Sequence, residues 1–192
     1  MNTNPKILAK KLDFPRAYRK TRLEIAQWVI GHPEYVLHLL DFCFKTEQDI
    51  SYKATWILEF VCTERLDLIL PHLDHFFRNI PLVKRDQAVR PLSKICLILA
   101  NKNYKKKEEM VLDVFNMKHK ETMTECCFDW LITDQKVACE AYSMHALFLL
   151  GTEIEWIHNE LKTIIEQNIH RKSAGYKAQG RKILKKIQKY HI

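Results

Sequence analysis

The sequence predicts an all-α protein, a short right-handed α-solenoid of about four helix pairs closed by a C-terminal cap helix. Apolar residues recur near the 3.6-residue helical period through almost the whole chain. Only 4 Gly and 6 Pro interrupt the 192 residues, too few turn formers for a sandwich, a barrel or a Gly-rich nucleotide-binding fold. The chain also matches itself when shifted, which separates a repeat array from a closed bundle. A 47% hydrophobic content supplies the core of one domain spanning residues 1–192.

In chain order, the N-terminal arm, residues 1–15, carries a short helix near 5–12. The helix over 16–30 stops at Gly31, and Pro33 opens the next, over 33–44. Two further helices follow over 49–62 and 66–79, the second bent at Pro71, and are expected to pair as a hairpin. The helix over 84–101 contains Pro91 and ends at Asn101, after which 107–116 holds a short piece. Over 119–133, Met123, Cys126, Cys127, Trp130 and Leu131 recur at i, i+3, i+4, i+7 and i+8, which makes Trp130 a core residue. Asp134 then caps the helix over 135–150, and Gly151 follows it. Helices over 153–169 and 173–190 complete the chain, the last capped by Ser173 and striped by Tyr176, Gly180, Ile183, Leu184 and Ile187. Connections of two to five residues make successive helices antiparallel neighbours. Trp28, Trp56, Phe60, Phe77, Trp130, Phe148, Trp156 and Leu184 are the expected large buried side chains.

A shift of 33 lays residues 33–44 on 66–77. It matches Glu34 with Asp67, Val36 with Ile69, Leu37 with Leu70, Leu40 with Leu73, Asp41 with Asp74 and Phe44 with Phe77. A shift of 88 lays Ile154, Glu155, Ile157, Leu161 and Ile164 on Leu66, Asp67, Ile69, Leu73 and Phe76. Helix-pair periods of this size mark α-solenoids. Residues 51–60 followed by the Pro-bent 66–73, with Pro91 as a second such kink, resemble a HEAT or armadillo-type unit over roughly residues 16–190. Residues 127–132, 136–138, 173–178 and 180–187 are similar to small bacterial HEAT-like proteins often labelled adenylosuccinate lyase. That lyase is a far longer enzyme with a mobile S-S-x-M-P-x-K loop, which has no counterpart here.

Charge is unevenly placed. Residues 1–22 hold seven Lys/Arg against Asp13, residues 170–192 hold eight and no acid, and the stretch between has 16 basic and 22 acidic residues, giving the overall +8. Two basic ends on a repeat array point either to solvated caps or to an anionic partner. In the last helix Lys177, Arg181, Lys182, Lys185, Lys186 and Lys189 lie opposite the apolar stripe and are the candidate nucleic-acid contacts. Lys10, Lys11, Arg16, Arg19, Lys20 and Arg22 would join them if both ends curve to one side.

The six cysteines form no Cys-x-x-Cys pair and sit in apolar stretches, as small hydrophobes in a reducing compartment do. No apolar run reaches the length of a membrane span, and Lys6, Lys10, Lys11 and Asp13 break up any signal-peptide core, so a cytoplasmic location with no membrane partner is expected.

Catalytic patterns are scarce. Gly-rich phosphate loops and the G-x-S-x-G elbow are absent, and Glu155 with His158 makes only one of the two Glu-x-x-His motifs of a di-iron bundle. His72 and His75 beside Asp74, with His38 and Asp41 of the preceding repeat, are conceivable metal ligands, but the repeat makes both aspartates ordinary recurring positions. Trp130 one turn before Asp134 resembles the pair in HEAT-like alkylpurine DNA glycosylases, where the Trp stacks on DNA and the Asp assists base loss. The downstream Trp of those enzymes has no counterpart after Trp156, and Arg171 and Arg181 fall in the cap. The reading with most support is a non-enzymatic interaction module that binds a protein partner without cofactor or metal. Sequence-nonspecific nucleic-acid binding through the basic ends is the alternative, and glycosylase or lyase activity the remote one.

Overall fold

The computed structural model describes residues 3–16, 18–133 and 135–191. Among them are eleven α-helices and no strand: α1 (Pro5–Leu12), α2 (Arg19–Gly31), α3 (Val36–Cys43), α4 (Ile50–Glu64), α5 (Leu73–Asn79), α6 (Asp86–Ala100), α7 (Glu109–Leu112), α8 (Met117–Ile132), α9 (Val137–Leu150), α10 (Trp156–Asn168) and α11 (Ala174–Tyr190).

Alternate helices form two rows. In the first, α2 packs on α4, α4 on α6, α6 on α9 and α9 on α11. In the second, α5 packs on α8 and α8 on α10, while Phe44 just past α3 meets His75 and Phe76 of α5 edge-on. Each internal first-row helix is flanked on two sides and backed by the second row, so three sides of it are apolar. That is why α6 buries Val89, Leu92, Ile95, Cys96 and Leu99 and leaves the strip through Arg90, Lys94 and Leu97 partly open. The buried apolar side chains form one contiguous cluster running from Leu8 to Ile187.

Several expectations are corrected. The segment over 66–79 is broken by Pro71 into two 3-10 turns, Leu66–Leu68 and Leu70–His72, before α5 begins. The hairpin with α4 is therefore made chiefly beside its turn, and α5 swings onto α8. Pro91, by contrast, lies inside an uninterrupted α6. As expected, α6 ends at Ala100 with Asn101 as its C-cap, but the chain stays coiled beyond Asn101. The Asn101 side-chain amide donates back to the Leu97 carbonyl at 2.9 Å, and the chain continues as a π turn, Asn101–Lys106, until Lys107 adopts a left-handed φ of 51°. Of the piece expected over 107–116, only α7 is helical. The N-terminal arm is part of the core, since α1 inserts Leu8 and Leu12 fully buried beside α3 and α4. Ser173 caps α11 as expected, accepting from the Tyr176 N–H at 3.3 Å.

Phe77 and Trp130 are buried, and Trp28, Trp56, Phe60, Phe148 and Leu184 are partly buried against the core. Trp156 is the exception at 56% exposed. As the first residue of α10 it lies on the outer face of that helix, and its i+1 neighbour Ile157 takes the inward position.

Candidate functional site

The open strip of the first row carries aromatic and basic side chains from end to end. Near its start, the Arg22 guanidinium lies 5.4 Å from the Trp56 ring and 5.6 Å from Phe60, and Arg19 lies 5.5 Å from Phe60. Beneath them Glu59, only 5% exposed, accepts from Arg90 at 2.7 Å and Lys94 at 2.8 Å. At the far end, the Lys186 ammonium lies 3.0 Å from His145 Nε2 and 5.4 Å from the Phe148 ring. Burial, then Lys186 and Lys105, hold the His145 imidazole down to about 4. The first-row helices together hold twelve Lys/Arg against five Asp/Glu, six of the twelve on α11, whereas α3, α5, α8 and α10 hold four against seven.

The six basic residues predicted on the last helix spread across its outer half, where Lys185, Lys186 and Lys189 line one shallow pocket with Gln188. Lys186 is half-buried against α9, with Lys182 one turn earlier on the same flank. Lys185 faces the groove shared with α10, together with Asn159, Lys162 and Glu166. Arg181 and Lys189 are exposed, and Lys177 is half-buried. A buried stripe fixes only the inward direction of a helix. Positions 100° to either side of it meet different neighbours, and only the packing says which. Lys105 and His145, which join Lys182 and Lys186 in space, carried no signal in the sequence because they come from two other elements.

The second row explains the repeated Asp and Phe. Asp41 lies 3.2 Å from His75 and Phe44 is edge-on to the same ring; Asp74 lies 2.8 Å from His119 and Phe77 stacks on it. Each Asp-x-x-Phe thus grips a histidine of the following second-row helix. The residues weighed as metal ligands are divided by this pairing: His38 meets Thr3 at 2.8 Å, and Asp74 turns away from His72 and His75 towards α8. Among the described residues no group of three or more His, Cys, Asp or Glu is placed to hold a metal ion.

Between α8 and α10 runs an open groove of ≈ 540 Å³, lined by Met117, Phe128, Ile154 and Trp156 and edged by Glu121, Glu125 and Asp129. Trp156 stacks on Phe128 with ring centroids 5.8 Å apart and planes 22° from parallel. The three carboxylates recur at i, i+4 and i+8 along α8, a spacing visible in the sequence, but the facing Trp156 comes from another element. Trp130, the glycosylase candidate, is 6% exposed inside the core, so it offers no ring face for stacking on a base. Its intended partner, Asp134, lies outside the described residues.

Two rows of alternating helices around a shared core define a helical-repeat protein of stacked helix pairs. The HEAT repeat domain model matches residues 9–187, and the chain belongs to that family. Comparison with curated proteins and with solved structures gives no match. No helix among the described residues is long and apolar enough to cross a membrane.

Proposed function

We propose that this chain is a non-enzymatic interaction module, a single cytoplasmic domain coiled as a right-handed superhelix, which holds a protein partner without a cofactor. HEAT repeats are commonly protein-interaction scaffolds, and this chain carries a surface suited to that role. The observation that carries the reading is Trp156, more than half exposed and stacked on Phe128 over an apolar groove. A large indole left outside the core beside Met117 and Ile154 is the kind of anchor that interfaces use, and the edging carboxylates select a partner segment with Lys or Arg. The six free, buried cysteines suit a reducing compartment.

The test is photo-cross-linking in the native cell from a probe at position 117, compared between the parent and Trp156→Ala. The same partner should be captured by the parent and by a first-row control, Lys94→Gln, and lost with Trp156→Ala and with Glu125→Lys. Equal capture by all four proteins would refute the reading.

A second reading, backbone-directed nucleic-acid binding, is favoured by one observation: Arg19 and Arg22 at one end and Lys182 and Lys186 at the other stand on the same row of helices. Absence of any anisotropy change with short labelled single- and double-stranded oligonucleotides at low salt would exclude it.

A further inference from the structure

We propose that Lys105, Lys182 and Lys186 form, around His145, a phosphate-binding site where the π turn, α9 and α11 meet. It rests on the nucleic-acid reading for its natural ligand, while its chemistry stands without that reading.

Three elements build the site. The π turn continues α6 past Asn101 and lies against α9, which brings Lys105 towards His145. From α11, Lys186 reaches back to place its ammonium 3.0 Å from the imidazole Nε2 and 5.4 Å from the centroid of the Phe148 ring. Lys182, one helical turn before Lys186, adds the third positive charge close enough to act on the second. Lys186 donates to the neutral imidazole, so the histidine holds this ammonium in place without cancelling its charge.

The neighbourhood shows what is missing. Lys102 is paired with Glu108, Lys120 with Glu153 and Lys172 with Glu140. Among the described residues, Lys105, Lys182 and Lys186 have no such carboxylate. The charges acting on His145 are Lys186 and Lys105, and those acting on Lys186 are Lys105 and Lys182, all of one sign. Three mutually repelling ammoniums on a half-buried ring match an anion that carries more than one negative charge and several acceptor oxygens. A phosphate or diphosphate meets that description, and a lone carboxylate does not. Burial comes first in keeping a proton off His145, and the lysine charges come second; the same anion would relieve that second contribution, so binding should draw the imidazole pKa upward.

The experiment follows the His145 ring resonances of the full-length protein by NMR over pH, alone and with pyrophosphate or a short oligonucleotide. It is repeated on Lys105→Gln, Lys186→Gln and a control on the exposed surface of α8, Lys118→Gln, with circular dichroism to verify each fold. Saturating pyrophosphate should raise the His145 pKa by about one unit or more. Lys105→Gln and Lys186→Gln should weaken binding about tenfold or more, Lys186→Arg should retain it, and Lys118→Gln should stay within about twofold. With the oligonucleotide, each productive Gln substitution should lower the salt slope by about one. If pyrophosphate moves His145 and the oligonucleotide does not bind, the site stands as one for a free polyphosphate and the nucleic-acid reading falls. If the oligonucleotide binds the parent and both Gln variants alike, the nucleic-acid reading stands and this site falls. An unmoved His145 pKa at saturating pyrophosphate also overturns the site.

Discussion

Glu140 is 2% exposed, and its carboxylate receives the Lys172 ammonium at 2.8 Å across the junction of α9 with the segment leading into α11. A buried carboxylate deprived of its cation keeps the desolvation cost and loses the attraction that offset it. Lys172→Met should therefore lower stability by about 3 kcal/mol in urea unfolding, and adding Glu140→Gln to it should restore more than half of that. A loss below about 0.5 kcal/mol in the single variant would mean that the carboxylate is solvated by another route. The thiols behave in the opposite way, as apolar groups. Burial raises Cys43, Cys62 and Cys126 well above their ordinary value and Cys139 to about 11, while Cys127 is raised first by its hydrogen bond with Cys96. All five stay protonated at neutral pH, in keeping with their apolar sequence surroundings.

At the scale of one element, α6 shows how a helix tolerates an internal proline. Pro91 has no N–H to give the carbonyl of Gln87 four residues earlier, and the freed carbonyl accepts from the Trp56 indole of α4 at 2.9 Å. An intrahelical bond has been exchanged for one that ties two neighbouring first-row helices together. Trp56→Phe should cost about 1 kcal/mol more in the parent than in a Pro91→Ala background, where the helix satisfies the carbonyl itself. A double-mutant cycle by denaturant unfolding measures this coupling, and a value of zero would show that the indole bond carries no net weight. In the second row, the Asp-x-x-Phe grip on the following histidine links repeats by a polar pair and a ring contact at once, at His75 and again at His119.

For the whole molecule, the ends of the array matter most, because every internal helix has a neighbour on each side and a terminal one does not. Helix α11 closes the first row, with Tyr176, Gly180, Ile183 and Ile187 buried beneath its charged surface. The approach at Gly180 is close, since a Cβ there would stand 2.9 Å from the Ile165 side chain. Truncation before Ser173 should expose apolar surface on α9 and α10, lower the thermal midpoint by about 10 °C or more and promote self-association seen in light scattering. A truncated chain as stable and monodisperse as the parent would show that the preceding helices need no cap. The acidic, aromatic α8–α10 groove and the basic first-row strip lie on different rows, so one copy carries two surfaces of opposite character.

Helical class, most helix boundaries, the repeat and the Ser173 cap were determined by the sequence alone, because each depends on local spacing: apolar residues every 3.6 positions, a cap at a helix start, and the same side chains 33 residues on. Local spacing also determined that Trp130 points inward. Tertiary structure decided where one element meets another. It carried the chain past Asn101 into a π turn lying against α9, swung α5 onto α8 after Pro71, left Trp156 outside the core and placed Lys186 against His145. The physical reason is that a helical period names the buried face of each helix but not the partner behind its flanks. Charges and rings on those flanks acquire their roles only when residues far apart in the chain are brought together by packing.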